Sequence, residues 1–138
     1  FQYHHLLPDF SALENVMMPL LIGGKSKSDA KKVAAGLLND VGLGDRMDHR
    51  PTQLSGGQAQ RVAVARALAN NPSIVIGDEP TGNLDTKSSD MIYELLRKLN
   101  RDRGQTFILV THDEKMARKT DRIVRLVDGK IFEDNYFD

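Results

Sequence analysis

The sequence predicts a mixed α/β fold, in which a mostly helical front half precedes a parallel sheet with covering helices. Two short apolar runs, SIVIGDEP at 73–80 and TFILVTH at 106–112, have the continuous hydrophobicity of strands in a buried parallel sheet. Between them, residues 86–103 have the apolar spacing of an amphipathic helix. Strands that alternate with helices in this way are typical of a parallel sheet covered by helices.

The composition is that of one ordinary globular domain. The chain has 138 residues, of which 40% are hydrophobic, enough for a substantial core. Lysine plus arginine equals aspartate plus glutamate, at 19 each, and this balance argues against a dedicated nucleic-acid binder, which normally carries a basic excess. The sequence contains no cysteine, so it offers neither disulfides nor thiolate metal ligands.

Capping and stop signals divide the front half into helices. The run SALE at 11–14 is a capping box, which predicts a first helix that ends near Leu21. A second helix is expected to open at Ser28 or Asp29 and to end at Gly42. The residues expected on its buried face are Val33, Ala34, Leu37, Leu38 and Val41.

The remaining elements follow from composition and turn signals. An alanine-rich third helix is expected over 57–69, the long helix over 86–103 should end at Gly104, and a short helix should cover 113–119. The pair DG at 128–129 predicts a closing hairpin. The buried stripe predicted for the long helix comprises Met91, Ile92, Leu95, Leu96 and Leu99.

Polar side chains follow both predicted strands. Asp78 and Glu79 end the first strand and His112 ends the second, and ligands gather at such carboxyl ends in open α/β sheets. Adjacent acids on an extended backbone point to opposite sides, so one could hold magnesium through water while the other faces a reacting centre. The alternatives are that the acids only end a strand, that His112 is incidental, and that Asp85 only caps the next helix.

Two glycines open the alanine-rich helix, in LSGGQAQRVAVARAL at 54–68. The first amides of a helix have no partner inside it and carry partial positive charge, which makes them a natural phosphate site. Gly56 and Gly57 leave the backbone open to such a ligand, and Ser55 adds a hydroxyl donor. The alternative is a flexible turn, although a linker would not normally lead straight into a well-formed helix.

In order and spacing, these motifs resemble those of ABC transporter ATP-binding subunits. LSGGQ at 54–58 is similar to the signature motif, and SIVIGDEP at 73–80 to the Walker B strand with its catalytic glutamate. GNLD at 82–85 resembles the D-loop, TH at 111–112 the switch histidine, and Gln2 the Q-loop glutamine. HHLLPDFSALENV at 4–16 and DEPTGNLD at 78–85 are most similar to the group of ABC ATP-binding subunits that serves lipoprotein release. That group has relatives in macrolide export and cell division.

This resemblance implies an ATPase that uses ATP and Mg²⁺. Asp78 and Gln2 would bind the metal. Glu79 would orient or deprotonate the attacking water, and His112 would contact the γ-phosphate. The other residues implied at the nucleotide are Ser55, Gly56, Gly57, Gln58 and Asp85, with Gln2 again among them.

The resemblance also implies partners. Two ATP-binding subunits would face each other head to tail, so that each nucleotide lies against the signature motif of the other subunit. The pair would bind integral membrane subunits at the cytoplasmic face of the inner membrane, and no nucleic acid is expected. Residues 3–16 are a candidate contact surface for the membrane subunits. Alternatively they pack inside the helical half, with Leu6 and Phe10 as core members.

The family's phosphate-binding loop, G-x-x-x-x-G-K-[S/T], is not found in the chain, so the resemblance implies a fragment that is inactive alone. Residues 1–70 would hold the Q-loop, the helical subdomain and the signature helix, and residues 71–138 the C-terminal half of a RecA-like P-loop NTPase core. Two other hypotheses are a non-transport ABC ATPase of DNA repair and a purely structural or interaction module. The former needs a long coiled coil before the signature, and residues 3–53 show no sustained heptads.

Overall fold

A computed structural model describes residues 5–137 of the chain. In chain order the elements in this part are α1 (Ala12–Ile22), α2 (Lys27–Asp40), α3 (Gly56–Leu68), β1 (Ile74–Asp78), α4 (Thr86–Arg103), β2 (Thr106–Val110), α5 (Glu114–Ala117), β3 (Arg122–Val127) and β4 (Lys130–Tyr136). A short 3₁₀ turn over Pro51–Gln53 precedes α3. None of the helices in this part is both long and apolar enough to cross a membrane.

Helices α1, α2 and α3 pack against one another around an apolar core. Val16 and Leu20 of α1, Leu38 of α2, and Val62 and Leu68 of α3 are almost inaccessible to solvent. Burying side chains of this size contributes about 1.5–3 kcal/mol each relative to exposure. This core fixes the orientation of α3, whose N-terminus carries the two glycines.

The predicted start of α1 is correct and that of α2 is wrong. Ser11 Oγ accepts from the Glu14 amide at 3.2 Å while Glu14 Oε2 accepts from the Ser11 amide at 2.8 Å, which confirms the capping box. Helix α2 is capped by Ser26 rather than by Ser28 or Asp29. The reason is that Ser26 Oγ binds the Asp29 amide at 3.1 Å, so Asp29 lies inside the first turn.

The strands form the predicted parallel pair and the predicted hairpin. Strands β1 and β2 are parallel, and their last residues, Asp78 and Val110, are in register. Strands β3 and β4 are antiparallel and form a separate two-stranded sheet. The turn between them has φ values of 49° at Asp128 and 74° at Gly129, the positive values that a two-residue hairpin turn of type I′ requires.

The parallel pair is covered on one face, so the prediction of fully buried strands is wrong. Val75, Phe107 and Leu109 pack against the helical core. On the opposite face, Ile76 and Ile108 are 64% and 47% exposed. Continuous apolar strands are typical of sheets that are covered on both faces. The described residues supply the covering layer for one face.

Helical spacing predicted too wide a buried stripe on two helices. On α4, Met91 is 48% exposed and Leu95 is half-buried, and on α2 Val33 is also exposed. The residues of α4 that are buried are Ile92, Tyr93, Leu96 and Leu99. Helix α4 lies on a sheet of two strands, and α2 packs against α1 and α3. Among the described residues, these neighbours leave Met91 and Val33, at the edges of the apolar stripes, exposed.

Candidate functional site

The ends of β1 and β2 bring Glu79 and His112 into direct contact, and the two residues are called the strand-end pair below. His112 Nδ1 lies 2.6 Å from Glu79 Oε1, and the His112 amide donates to the same oxygen at 2.8 Å. The Thr111 hydroxyl donates to Glu79 Oε2 at 3.3 Å. Because a carboxylate only accepts, Nδ1 carries a proton, which leaves Nε2 available on a side chain that is 86% exposed.

Glu79 does not continue the strand. Its φ is 46°, in the left-handed region that residues with a side chain seldom adopt. Its amide still donates to the Val110 carbonyl at 2.8 Å, and its own carbonyl accepts from the Gly82 amide at 3.1 Å. The expectation that Asp78 and Glu79 alternate on an extended backbone is therefore wrong. A turn at Glu79, rather than strand alternation, directs its carboxylate to His112.

The carboxylate of Glu79 raises the pKa of the His112 imidazole above its ordinary value of 6.5. The hydrogen bond is the largest cause, the negative charge of Glu79 is the next, and Asp113 adds a smaller attraction. The imidazole is therefore protonated over a wider pH range, and in that form both ring nitrogens are donors. A donor at Nε2 suits an anionic ligand.

Helix α3 opens with a capping box around its two glycines. Ser55 Oγ accepts from the Gln58 amide at 3.2 Å, and Gln58 Oε1 accepts from the Ser55 amide at 3.0 Å. Within residues 5–137, the amides of Gly56 and Gly57 find no acceptor. Two donors at the positive end of the helix are therefore open to an anion.

The same glycines also allow close packing within the chain. A Cβ at Gly56 would lie 3.3 Å from Leu84 Cδ2, and one at Gly57 would lie 3.4 Å from the Ser88 side chain. Neither a ligand nor a flexible turn, the two explanations that the sequence offered for these glycines, includes this contact. The packing places the N-terminus of α3 directly beside the segment that joins β1 to α4.

Asp85 caps α4, as one of the sequence alternatives held. Its Oδ1 accepts from the Ser88 amide at 3.2 Å, and hydrogen bonding to Ser88 lowers the pKa of the Asp85 carboxyl. Ser88 also borders Gly57, and Gly82 is bonded to Glu79. The segment between β1 and α4 therefore connects the strand-end pair to the start of α3.

The two residues predicted to bind the metal are Asp78 and Gln2. Gln2 lies outside the described residues. Asp78 is exposed at the end of β1. In the described part of the chain, no three histidine, aspartate or glutamate side chains lie close enough together to hold a metal ion by themselves.

Sequence reasoning missed the side chains that hold the segment before α1. Asn15 is fully buried, accepts from the Leu7 amide at 2.8 Å, and donates to the carbonyls of Leu7 at 3.2 Å and Phe10 at 3.1 Å. Arg66 of α3 donates to the His5 carbonyl at 2.9 Å. A polar residue on the apolar face of a helix is the sequence signal that could have found Asn15.

An apolar cleft of about 310 Å³ lies beside this segment. Its lining residues are Leu7, Met18, Pro19, Ile22, Arg66 and Ala67. Leu6 is half-buried against the core, but Phe10 is 37% exposed, so the placement of Phe10 inside the core is wrong. Asn15 holds the Phe10 backbone and leaves its side chain at the surface.

The chain has a mixed α/β fold in which a parallel strand pair ends in the Glu79–His112 contact, and a helix that opens with two glycines lies beside it. This fold and site define the chain as part of an ATP-binding cassette. The profile of the ABC transporter family matches residues 1–82, and the chain belongs to that family. The predicted fold class and the predicted family are thereby confirmed.

Several relatives are similar over nearly the whole chain. The lipoprotein-releasing system ATP-binding protein LolD of Geobacter metallireducens is 57% identical over 97% of this chain and 60% of its own length. LolD of Xanthomonas oryzae pv. oryzae is 56% identical over 96% of this chain and 54% of its own length. LolD of Porphyromonas gingivalis is 53% identical over 97% of this chain and 61% of its own. The chain thus spans between about half and three fifths of the length of these relatives.

Two solved structures of the ATP-binding cassette MJ0796 have the same fold. Both are dimeric, and one is a post-hydrolysis state bound to ADP and Pi. Each superposes with a TM-score of 0.83 and covers 99% of this chain and 60% of its own, at 45% and 46% identity.

Proposed function

We propose that the whole protein is the ATP-binding and ATP-hydrolysing subunit of an ABC transporter that powers the release of lipoproteins from the inner membrane. The strand-end pair carries this proposal, because it sets a carboxylate and an anion-binding imidazole side by side at the edge where such sheets bind ligands. The lipoprotein-release assignment is supported by relatives at 53–57% identity that bear that name.

The start of α3 is proposed to bind the γ-phosphate of a nucleotide held mainly by a second copy of the protein. The amides of Gly56 and Gly57 supply donors at a positive helix end, and the Ser55 hydroxyl can donate while its oxygen accepts from Gln58. Gln58 positions Ser55 through the capping box. The dimeric state of both MJ0796 structures supports a head-to-tail pair.

Asp78 is proposed to bind Mg²⁺, with Gln2 as a second ligand. The site suits this ion, because Mg²⁺ is commonly held by one or two carboxylates together with substrate phosphates, and Asp78 offers one exposed carboxylate at the strand end. When bound, the ion would neutralise charge that develops on the phosphate oxygens. The chain's own residues orient the reactants.

Glu79 is proposed to orient or deprotonate the attacking water. Three hydrogen bonds, two from His112 and one from Thr111, fix the direction of its carboxylate. Such positioning is the main demand that phosphoryl transfer makes of a protein. His112 contributes its exposed Nε2 as a donor to the γ-phosphate, and Asp85 shapes the segment that would face the partner subunit.

The segment around Leu7 and Phe10 is proposed to contact integral membrane subunits, with the protein peripheral on the cytoplasmic face of the inner membrane. Both side chains are more than one third exposed, and Leu7 borders the apolar cleft. Residues 1–70 would then act as the helical subdomain with the Q-loop and signature helix. Residues 71–138 would act as the C-terminal part of the ATPase core.

Glu79→Gln in the whole protein tests the proposal. We expect ATP binding to persist and turnover to fall by about 10²–10⁴-fold, the usual contribution of a positioned general base, with the ATP-bound dimer trapped. Turnover, nucleotide binding and dimer mass would be measured together. Glu94→Gln, an exposed position on α4, is the matched control and should hydrolyse ATP normally. Normal turnover in Glu79→Gln would remove Glu79 from this role.

A further inference from the structure

Two side chains from different helices hold the segment that precedes α1. Asn15 of α1 binds the backbone of Leu7 and Phe10 through its buried amide. Arg66 of α3 reaches the same segment, and its Nη1 donates to the His5 carbonyl at 2.9 Å. The segment is therefore held both by the helix that follows it and by a residue of α3 that is 61 positions away in sequence.

Arg66 lies in the last turn of α3, whereas the open glycine amides lie in its first turn. The ten steps from Gly56 to Arg66 span about 15 Å of continuous helix at 1.5 Å per residue. A helix that packs into a core moves as one body, so a displacement at one end reaches the other. Arg66 also lines the cleft beside Leu7.

The backbone at the contact is constrained as well. His5 has a φ of 42°, a left-handed conformation that costs energy for a residue with a side chain and persists where neighbours hold it. Arg66 is half-buried, and a hydrogen bond from a charged donor is stronger than one between neutral groups. The guanidinium is thus well placed to keep His5 in this conformation.

We propose that Arg66 is a positioning residue that links the phosphate-facing end of α3 to the segment carrying Leu7 and Phe10. Through the His5 carbonyl, a movement of α3 on nucleotide engagement is passed to the surface that contacts the membrane subunits. The inference rests on the proposed function, because it assumes that surface and that phosphate site.

The chain provides a matched control on the same helix. Arg61 is also a partly buried arginine of α3, and its Nη1 also donates to a backbone carbonyl, that of Val41, at 3.2 Å. The Val41 carbonyl lies at the end of α2, outside the segment before α1. Arg61→Ala therefore removes a comparable contact without touching that segment.

The test uses the whole protein reconstituted with its membrane subunits in lipid nanodiscs. We expect Arg66→Ala to lower the stimulation of ATP turnover by the membrane subunits about fivefold or more, the size of losing one hydrogen bond, with less than a twofold change in the KM for ATP. Arg66→Lys, which keeps one cationic donor, should recover part of the stimulation. Arg61→Ala should keep it.

Hydrogen exchange provides a readout that does not depend on activity. In Arg66→Ala, the amides of Leu7 and Phe10 should exchange faster, while the core amides of α3 keep their protection. Unchanged exchange together with unchanged stimulation would overturn the inference, and so would equal losses in Arg66→Ala and Arg61→Ala. If Leu7→Ala and Phe10→Ala leave stimulation intact while Arg66→Ala still loosens the segment, the proposed contact surface fails and the Arg66 link stands.

Discussion

At the scale of single residues, Glu79 shows how the site depends on local backbone geometry. Its left-handed φ, which costs about 1–3 kcal/mol in a residue with a side chain, places its carboxylate where His112 and Thr111 can donate to it. Conformations of this kind persist where the surroundings hold them, and they occur frequently at functional sites.

The electrostatic consequence can be measured at His112. Since Glu79 raises the His112 pKa, the contact stabilises the fold fully below the ordinary pKa of 6.5, and this contribution is lost as the pH rises through the raised value. We expect Glu79→Gln to lower the His112 pKa toward 6.5 in an NMR titration. Asp113→Asn, which removes only the smaller attraction, should lower the pKa less. An unchanged pKa in Glu79→Gln would show that the contact is not formed in solution.

At the scale of elements, α2 and α4 each end at a glycine with positive φ. Gly42 lies just past the end of α2 with φ 73°, near its predicted stop, and Gly104 caps α4 with φ 66°, as predicted. Gly36 differs, because it lies inside α2 with ordinary helical geometry. A Cβ would meet no neighbouring atom within 4 Å at either Gly36 or Gly104. The two positions therefore differ in backbone conformation and not in the space available for a side chain.

These two glycines should respond to alanine with opposite signs. Gly104→Ala forces a side chain into the left-handed region and should lower the free energy of unfolding by about 1–2 kcal/mol. Gly36→Ala removes backbone freedom from a helix interior and should raise that free energy by about 0.5–1 kcal/mol. Urea denaturation of both variants is the measurement. Shifts of the same sign would mean that packing, rather than φ, governs one of the positions.

At the scale of the whole molecule, the uncovered face of the parallel pair is the main feature. Ile74, Ile76, Ile108 and Val110 are each about half exposed or more, on strands whose sequence is typical of a sheet covered on both faces. The chain spans 54–61% of the length of its curated relatives. The other face of the pair, by contrast, packs against a core that α1, α2 and α3 share with Ile92, Leu96 and Leu99 of α4.

The 138-residue chain by itself is expected neither to bind ATP tightly nor to hydrolyse it. The main grip on the phosphates is ascribed to a loop of the form G-x-x-x-x-G-K-[S/T], and no stretch of the chain has that form. Calorimetric titration with Mg-ATP and a phosphate-release assay would measure both properties, with circular dichroism to verify folding. Tight binding or steady turnover by the folded chain would show that ATP binding does not require such a loop.

The sequence by itself determined the family, the order of the elements and the meeting of Glu79 and His112 at one sheet edge. Local signals sufficed there: the SALE box, the DG turn and the capping of α4 by Asp85 each depend on residues within three or four positions of one another. The roles of the site residues stay predictions that the experiments above address.

Only the tertiary structure decided how distant residues meet. The packing of Gly56 against Leu84 joins residues 28 positions apart, and the hydrogen bond from Arg66 to His5 joins residues 61 positions apart. The left-handed φ of Glu79 is a conformation that no local sequence pattern requires. The exposure of Met91, which lies on the apolar stripe of α4, was likewise decided by which neighbours that helix meets. Periodicity shows which side of a helix is apolar, whereas burial depends on what that side meets.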